Sequence, residues 1–237
     1  MKMVKLFLFV AVHLFAVSGY ATDESENSDD DLYEFKWLDT KKKIFVLQNK
    51  VYEKAGTFYF DLGYGFNLSN DFQDSKIPLF KTGYYIFEEW GLEFIYAKFF
   101  NSDSDTKKSI SMRDLAIPFV RRMNNYYGVS AVFSPFYGKI NTFNTILYFD
   151  WNFGAGLLKM DGESNKKAFR EENSSYAYEK ESYMGFLLQT EMRFYLTESV
   201  HLNLNLLKQY FKAQNPRTLS DEYYSNTDFF LSVGYGI

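Results

Sequence analysis

Cysteine is absent from the 237 residues, proline occurs four times and histidine twice. Without cysteine, a small disulfide-stapled domain is excluded, and so is a cysteine-ligated metal centre. A lipoprotein tethered through a cysteine at its cleavage point is excluded on the same ground. Positive charge is not in excess: 26 Lys and Arg face 30 Asp and Glu, for a net charge of −4. That balance argues against a nucleic-acid partner, which requires a basic face. Long apolar runs are missing beyond the N-terminus, so no other segment suits a membrane-spanning helix, which needs about 20 such residues. The length suits one domain.

What is abundant is aromatic. The chain holds 26 Phe, 20 Tyr and 3 Trp, and aromatics make up 21% of it. Such a composition suits strands whose ends lie in a membrane interface, where aromatic rings form girdles.

The N-terminus has the pattern of a secretory signal. Lys2 and Lys5 precede the apolar run Leu6 to Val17, and Ser18-Gly19-Tyr20-Ala21 offers small residues for a cut after Ala21. The expected organisation is a signal peptide over 1–21, an acidic lead-in with a short periplasmic segment over 22–54, and a barrel domain over 55–237. Thr22 to Asp31 is acidic and lacks an apolar pattern, which predicts disorder. Lys41-Lys42-Lys43 with Ile44, Val46 and Val51 fits a short strand or a short helix near the barrel end.

From Thr57 the hydrophobic period becomes two. Phe58, Phe60, Leu62, Tyr64 and Phe66 share one face, and Tyr59, Asp61, Gly63, Gly65 and Asn67 share the other. The pattern returns over 143–157, with Leu147, Phe149, Trp151, Phe153, Ala155 and Leu157 opposed by Asn144, Tyr148, Asp150, Asn152, Gly154 and Gly156. It returns over 183–196, where Phe186, Leu188, Met192 and Phe194 oppose Gln189, Glu191 and Arg193. Val200, Leu202, Leu204 and Leu206 oppose His201, Asn203 and Asn205, and Phe229 to Ile237 closes the series. Segments 80–88, 91–101 and 126–137 alternate less cleanly but have the β-branched and aromatic content of strands. The total is eight.

Short links at 89–90, 138–141 and 198–199 alternate with long polar links at 68–79, 102–125, 158–182 and 213–223. This alternation predicts an all-β, eight-stranded antiparallel up-and-down transmembrane β-barrel with periplasmic termini. A soluble barrel would turn its apolar face inward.

The segments VLQNKVYEKAGTFYFDLGYGFNLSNDF (46–72), GYYIFEEWGLEF (83–94) and FSPFYGKINTFNTILYFDWNFGAGLL (133–158) resemble the outer-membrane β-barrel domain family first recognised in myxobacteria. The motifs that carry the resemblance are aromatic-Glu-x-Trp-Gly-Leu-Glu at the first short turn and Ser-Pro-x-Tyr-Gly-Lys at the second. The resemblance implies a barrel in the outer membrane of a Gram-negative cell. It implies no reaction, ligand or catalytic residue.

The polar residues expected to line the lumen are Asp61, Glu93, Asp150, Asn152, Gln189, Glu191, Arg193, His201 and Asn203, with Arg193 the one inward cation. The pattern is that of a satisfied polar plug or of a narrow channel for ions or small solutes. His201 has Ser199 and Glu198 beside it, but no third catalytic group is identifiable, and its place next to a short turn puts it at the periplasmic rim. No enzyme is expected. The Gly63/Gly65, Gly154/Gly156 and Gly234/Gly236 pairs lack the following helix of a phosphate loop, and they read as small inward residues that admit bulky neighbours. Segment 109–122 is predicted to contain a short helix. Loop 158–182 carries mixed charge and suits contact with lipopolysaccharide, envelope polymers or another cell.

The expected function is structural or surface-interacting, carried by the outer loops. The alternatives are a narrow channel and a soluble lipocalin-like ligand carrier. The expected partners are the lipid bilayer, lipopolysaccharide and, during insertion, the barrel-assembly machinery. No cofactor or metal is expected.

Overall fold

The computed structural model describes residues 50–113, 118–142, 145–171 and 178–237. The expected signal peptide, the lead-in as far as residue 49 and the inward assignment of Asn144 lie outside the described residues. The elements are β1 (Phe58–Asn67), β2 (Gln73–Tyr85), β3 (Trp90–Lys98), β4 (Phe100–Asp103), α1 (Asp105–Arg113), β5 (Arg121–Thr142), β6 (Thr145–Ser164), α2 (Lys166–Glu171), β7 (Glu179–Tyr195), β8 (Val200–Gln214) and β9 (Asp221–Gly236). Every neighbouring pair is antiparallel, and β1 pairs with both β2 and β9, so the sheet closes on itself.

β3 and β4 are one stave. Both pair with β2 in the same register, and the ladder lapses over two pairs, where Pro78 faces Lys98 and Ile77 faces Phe99. Proline has no N–H to donate. On the other side the β3–β5 ladder runs on through Phe99, whose N–H donates to the Asn124 carbonyl at 2.8 Å. The barrel therefore has eight staves.

The register fixes its girth. A walk across paired residues runs from Phe58 to Tyr84, Leu92, Ala131, Ala155, Leu188, Lys208 and Thr227, and returns to β1 at Leu68, ten residues further on. With eight staves, a rise of about 3.3 Å per residue and a spacing of about 4.8 Å, that offset gives a strand tilt of about 41° and a backbone radius of about 8 Å. A cylinder of that width is filled by its own side chains.

The outward faces are apolar. Phe58, Phe60, Leu62, Tyr64 and Phe66 are exposed on β1, with Leu62 at 69%. The band continues through Leu92, Phe94 and Tyr96, Val129, Leu157, Leu188, Leu206, and Leu231, Val233 and Tyr235. On β2 the half-buried Phe80 and Tyr84 complete it. A soluble monomer rarely exposes an apolar patch above a few hundred Å², so this girdle requires lipid.

The inward faces fall into layers. Near the periplasmic end they are charged. Further out comes a dry belt that includes Leu79, Ile95, Leu158, Leu187, Leu207 and Phe230, all buried. Beyond it the outer mouth is polar again.

Several boundaries differ from expectation. The first outer link is 68–72, not 68–79, because β2 begins at Gln73. Its start alternates buried Gln73 and Ser75 with exposed Asp74 and Lys76. A strand that has risen out of the membrane has no need of apolar outward residues, so it reads as loop. The last outer link likewise shortens to 215–220. Residues 138–141 are not a turn, because β5 continues to Thr142 and the link falls at 143–144. Gly138 sits opposite Phe149, whose ring covers it, so this glycine serves cross-strand packing. The helix expected within 109–122 starts earlier, at Asp105, and Arg121 and Arg122 belong to β5. The long outer links are 104–120 and 165–178.

Residues 50–57 are neither strand nor helix. They cross the periplasmic mouth and turn into β1 through Gly56 (φ +78°), with the Thr57 N–H donating to Lys54 O at 3.0 Å. The positive φ at the third position of that turn is one that glycine accepts without strain.

Candidate functional site

Period-two alternation turns Asp61 (β1), Lys81 (β2), Glu93 (β3) and Glu191 and Arg193 (β7) toward a common point. A backbone radius of about 8 Å leaves them no separation. The Lys81 ammonium sits among three carboxylates: 2.9 Å from Glu93, 3.9 Å from Asp61, and in close contact with Glu191. Arg193 grips Glu191 through Nη2 at 3.0 Å and Nε at 3.2 Å, and its guanidinium lies 4.2 Å from the Tyr59 ring centroid. Asp61 and His201 Nε2 are 2.7 Å apart. Glu93 also accepts from the Tyr59 hydroxyl at 2.7 Å and from Gln189 at 2.8 Å, and Asn152 donates to Glu191 at 2.9 Å.

A second cluster lies closer to the periplasm. Asp150 accepts from Tyr195 at 2.5 Å and from the Lys54 ammonium at 2.6 Å, and Lys54 also contacts Ser134 Oγ. Lys54 comes from the lead-in, not from a strand. Its burial drives the ammonium down to about 8, against the opposing pull of the Asp150 charge, so it stays protonated at neutral pH. Tyr52 stacks on Tyr195 with ring centroids 4.5 Å apart, and Lys50 pairs with Glu88 at 3.1 Å. Residues 50–55 thus latch the lead-in across the mouth.

All nine expected lumen residues are buried. Eight join these two clusters. Asn203 is buried too, but its amide has no hydrogen-bond partner among the described residues. Sequence reasoning named Arg193 as the one inward cation, and that is corrected: Lys81 and Lys54 are also inside. Lys81 stands in the expected strand 80–88, where the inward series Lys81, Gly83, Tyr85 was available to be read. Lys54 precedes any strand and left no such signal.

The arrangement is built for neutralisation. Asp61, Glu93 and Glu191 each bring a carboxylate oxygen within 4.8 Å of the others, a spacing that would suit a divalent ion, but the Lys81 ammonium already supplies the cation. The nearest approach to a catalytic pair is Asp61–His201. No hydroxyl is bonded to that imidazole among the described residues, and Ser199 lies in the turn. Gly234 makes the pair possible, since a Cβ there would fall 1.9 Å from Asp61 Oδ1 and 2.0 Å from His201 Nε2. Gly65 and Gly154 likewise make room, for Phe230 and Gln189, whereas a Cβ on Gly236 would meet nothing closer than 3.9 Å.

Above the dry belt, the outer mouth holds a cavity of about 250 Å³ framed by amides, serines and aromatic rings.

A closed antiparallel barrel of eight staves, with an apolar girdle outside and a filled lumen, defines a transmembrane β-barrel of the outer-membrane type. No protein-family model and no curated protein matches the chain. Among solved structures it is similar to the N-terminal β-barrel domain of Pseudomonas aeruginosa OprF, with a TM-score of 0.50 and 11% identity over 77% of this chain and 98% of that one. It is also similar to Neisserial surface protein A (TM-score 0.46, 14% identity, 77% and 97% covered) and to Ail of Yersinia pestis (0.40, 15%, 77% and 99%). At such identities the OprF likeness speaks for the fold alone.

Proposed function

We propose that the protein resides in the outer membrane as a closed barrel that anchors a surface-exposed platform of loops. The observation that carries this reading is the combination of a lipid-facing girdle with a lumen shut by its own side chains. The described residues of the platform are tied to the barrel. Lys107 bonds Asp103 at 2.7 Å and Tyr178 at 3.2 Å, and the Arg122 guanidinium lies 3.9 Å from the Tyr178 ring centroid. Lys166 reaches Glu181 at 3.0 Å, and Phe119 packs on Phe169 with centroids 5.8 Å apart. These contacts join the described residues of the two long outer links to the rim, which supports recognition by residues held in place.

Within this proposal the chain is exported by the 1–21 signal, inserted by the barrel-assembly machinery, surrounded by lipopolysaccharide in the outer leaflet, and not an enzyme. The family first recognised in myxobacteria is the one its turn motifs suggest. The channel alternative is disfavoured by the dry belt, and the soluble carrier by the girdle.

Cell fractionation and gel migration with and without boiling test the reading. Outer-membrane recovery and a heat-dependent shift are expected, together with protease cleavage of intact cells inside 165–178 but not in the lead-in. Recovery as a soluble periplasmic protein without a shift would overturn it. Stepwise conductance in a planar bilayer would replace the anchor with a channel.

A further inference from the structure

The outer cavity mixes amides and serines with apolar side chains and is nearly uncharged. Its framing amides are held in place by their neighbours. Asn67 donates to Asn226 at 2.6 Å and to Asp228 at 2.7 Å, and Asn101 donates to the Met123 carbonyl at 2.7 Å. Gln73 differs. It is 3% exposed, it faces the cavity from the start of β2, and neither its Nε2 nor its Oε1 has a partner among the described residues. A buried amide with both ends open is costly to keep unless something completes it.

The geometry points to this vestibule as a binding site for an uncharged saccharide unit of one or two rings. Gln73 offers an open donor beside an open acceptor, and that pairing matches hydroxyls, which act as both. Phe119 and Tyr224 add an apolar wall for the C–H face of a sugar ring. An anion fits poorly. Arg121 is the one charged residue in the lining, and its guanidinium is committed to the Gln214 carbonyl at 2.8 Å, to Glu181 at 3.4 Å and to the Tyr224 ring at 4.5 Å. A lipid tail would leave the Gln73 amide unsatisfied. A cavity of about 250 Å³ is small for a larger ligand.

The inference rests on the proposed surface placement, because the vestibule opens at the outer end. Binding to the purified barrel can fail while that placement stands. The folded protein in a zwitterionic detergent, free of sugar headgroups, is titrated with glucose, galactose, N-acetylglucosamine and lactose, and with glucuronate and sulfate as charged controls. Saturation-transfer NMR reads the binding.

Saturable binding of a neutral sugar is expected. Gln73→Leu should weaken it at least tenfold while leaving the heat-shift temperature equal or higher, since the change removes two unsatisfied atoms. If that variant fails to fold, Gln73→Glu should give the same loss. Binding of the charged controls alone, no binding at all, or an unchanged affinity in Gln73→Leu would overturn the inference. Among neutral ligands, stronger binding of the glycan released from the cell's own lipopolysaccharide marks a membrane source, and stronger binding of the free sugars an external one.

Discussion

Lys81 shows how much rests on one side chain. It is 0% exposed and placed among Asp61, Glu93 and Glu191. Replacing a buried ion cluster wholesale by apolar groups is often tolerated, whereas removing one partner leaves an uncompensated charge and costs about 3–5 kcal/mol. Lys81→Met should therefore destabilise the barrel by that amount in urea unfolding from micelles or vesicles. A loss below about 1 kcal/mol would show that Arg193 alone neutralises the cluster. Asp61, Glu191 and Arg193 were legible in the sequence because their strands alternate cleanly around them, and Glu93 was legible in a segment that alternates less cleanly. Lys81 was missed although it alternates with Phe80 and Thr82, because the run Tyr84-Tyr85-Ile86-Phe87 that follows is apolar on both faces.

Among the elements, the latch over 50–55 is the one without periodicity. It is held by point contacts. Glu88, in the periplasmic turn 86–89, accepts from the Ala55 N–H at 2.9 Å and from the Lys54 N–H at 3.0 Å, and it pairs with Lys50. Partial burial would push its carboxyl up, but those amides and the Lys50 ammonium hold it below the usual carboxylate range. A group whose pKa is lower in the closed latch than in the open one stabilises closure above its open-state value. That contribution is lost as pH falls through the closed-state value.

Protection of the Lys54 and Ala55 amides from hydrogen exchange, corrected for intrinsic rates, should hold at neutral pH and fall below about pH 4. In Glu88→Gln the protection should be weak at neutral pH and lose most of its acid dependence. Protection that is independent of pH in the unsubstituted protein would assign closure to Lys54 and Tyr52 instead. The sequence suggested a short strand or helix near the barrel end but gave no sign of this latch, since a segment fastened by isolated contacts to distant strands carries no local pattern.

For the whole molecule, closure decides the shape. Eight staves with a ten-residue offset require a tilt of about 41°. Polarised infrared dichroism of oriented bilayers should return that angle. A value near 30° would mean a smaller offset and a wrong register in one hairpin, and β5–β6, with its two register shifts, would be the first to suspect. Closure also stacks the lumen into a charged layer, a dry belt and a polar mouth. Eight of the expected inward residues come together in the charged layer from strands as distant in sequence as β1 and β8.

Period-two alternation, aromatic girdles and the placing of short and long links follow from the chain alone. A strand in lipid must show one apolar face whatever its neighbours are. That local requirement made the eight staves, their direction and most inward residues readable. Register, offset and therefore width depend on pairing between strands, and no single strand records its partner. The meeting of Lys81 with three carboxylates, the insertion of Lys54 from outside the barrel, and the unpartnered Gln73 beneath the outer mouth were decided only when the sheet closed. Each of them joins residues far apart in sequence, and only the closed barrel brings them together.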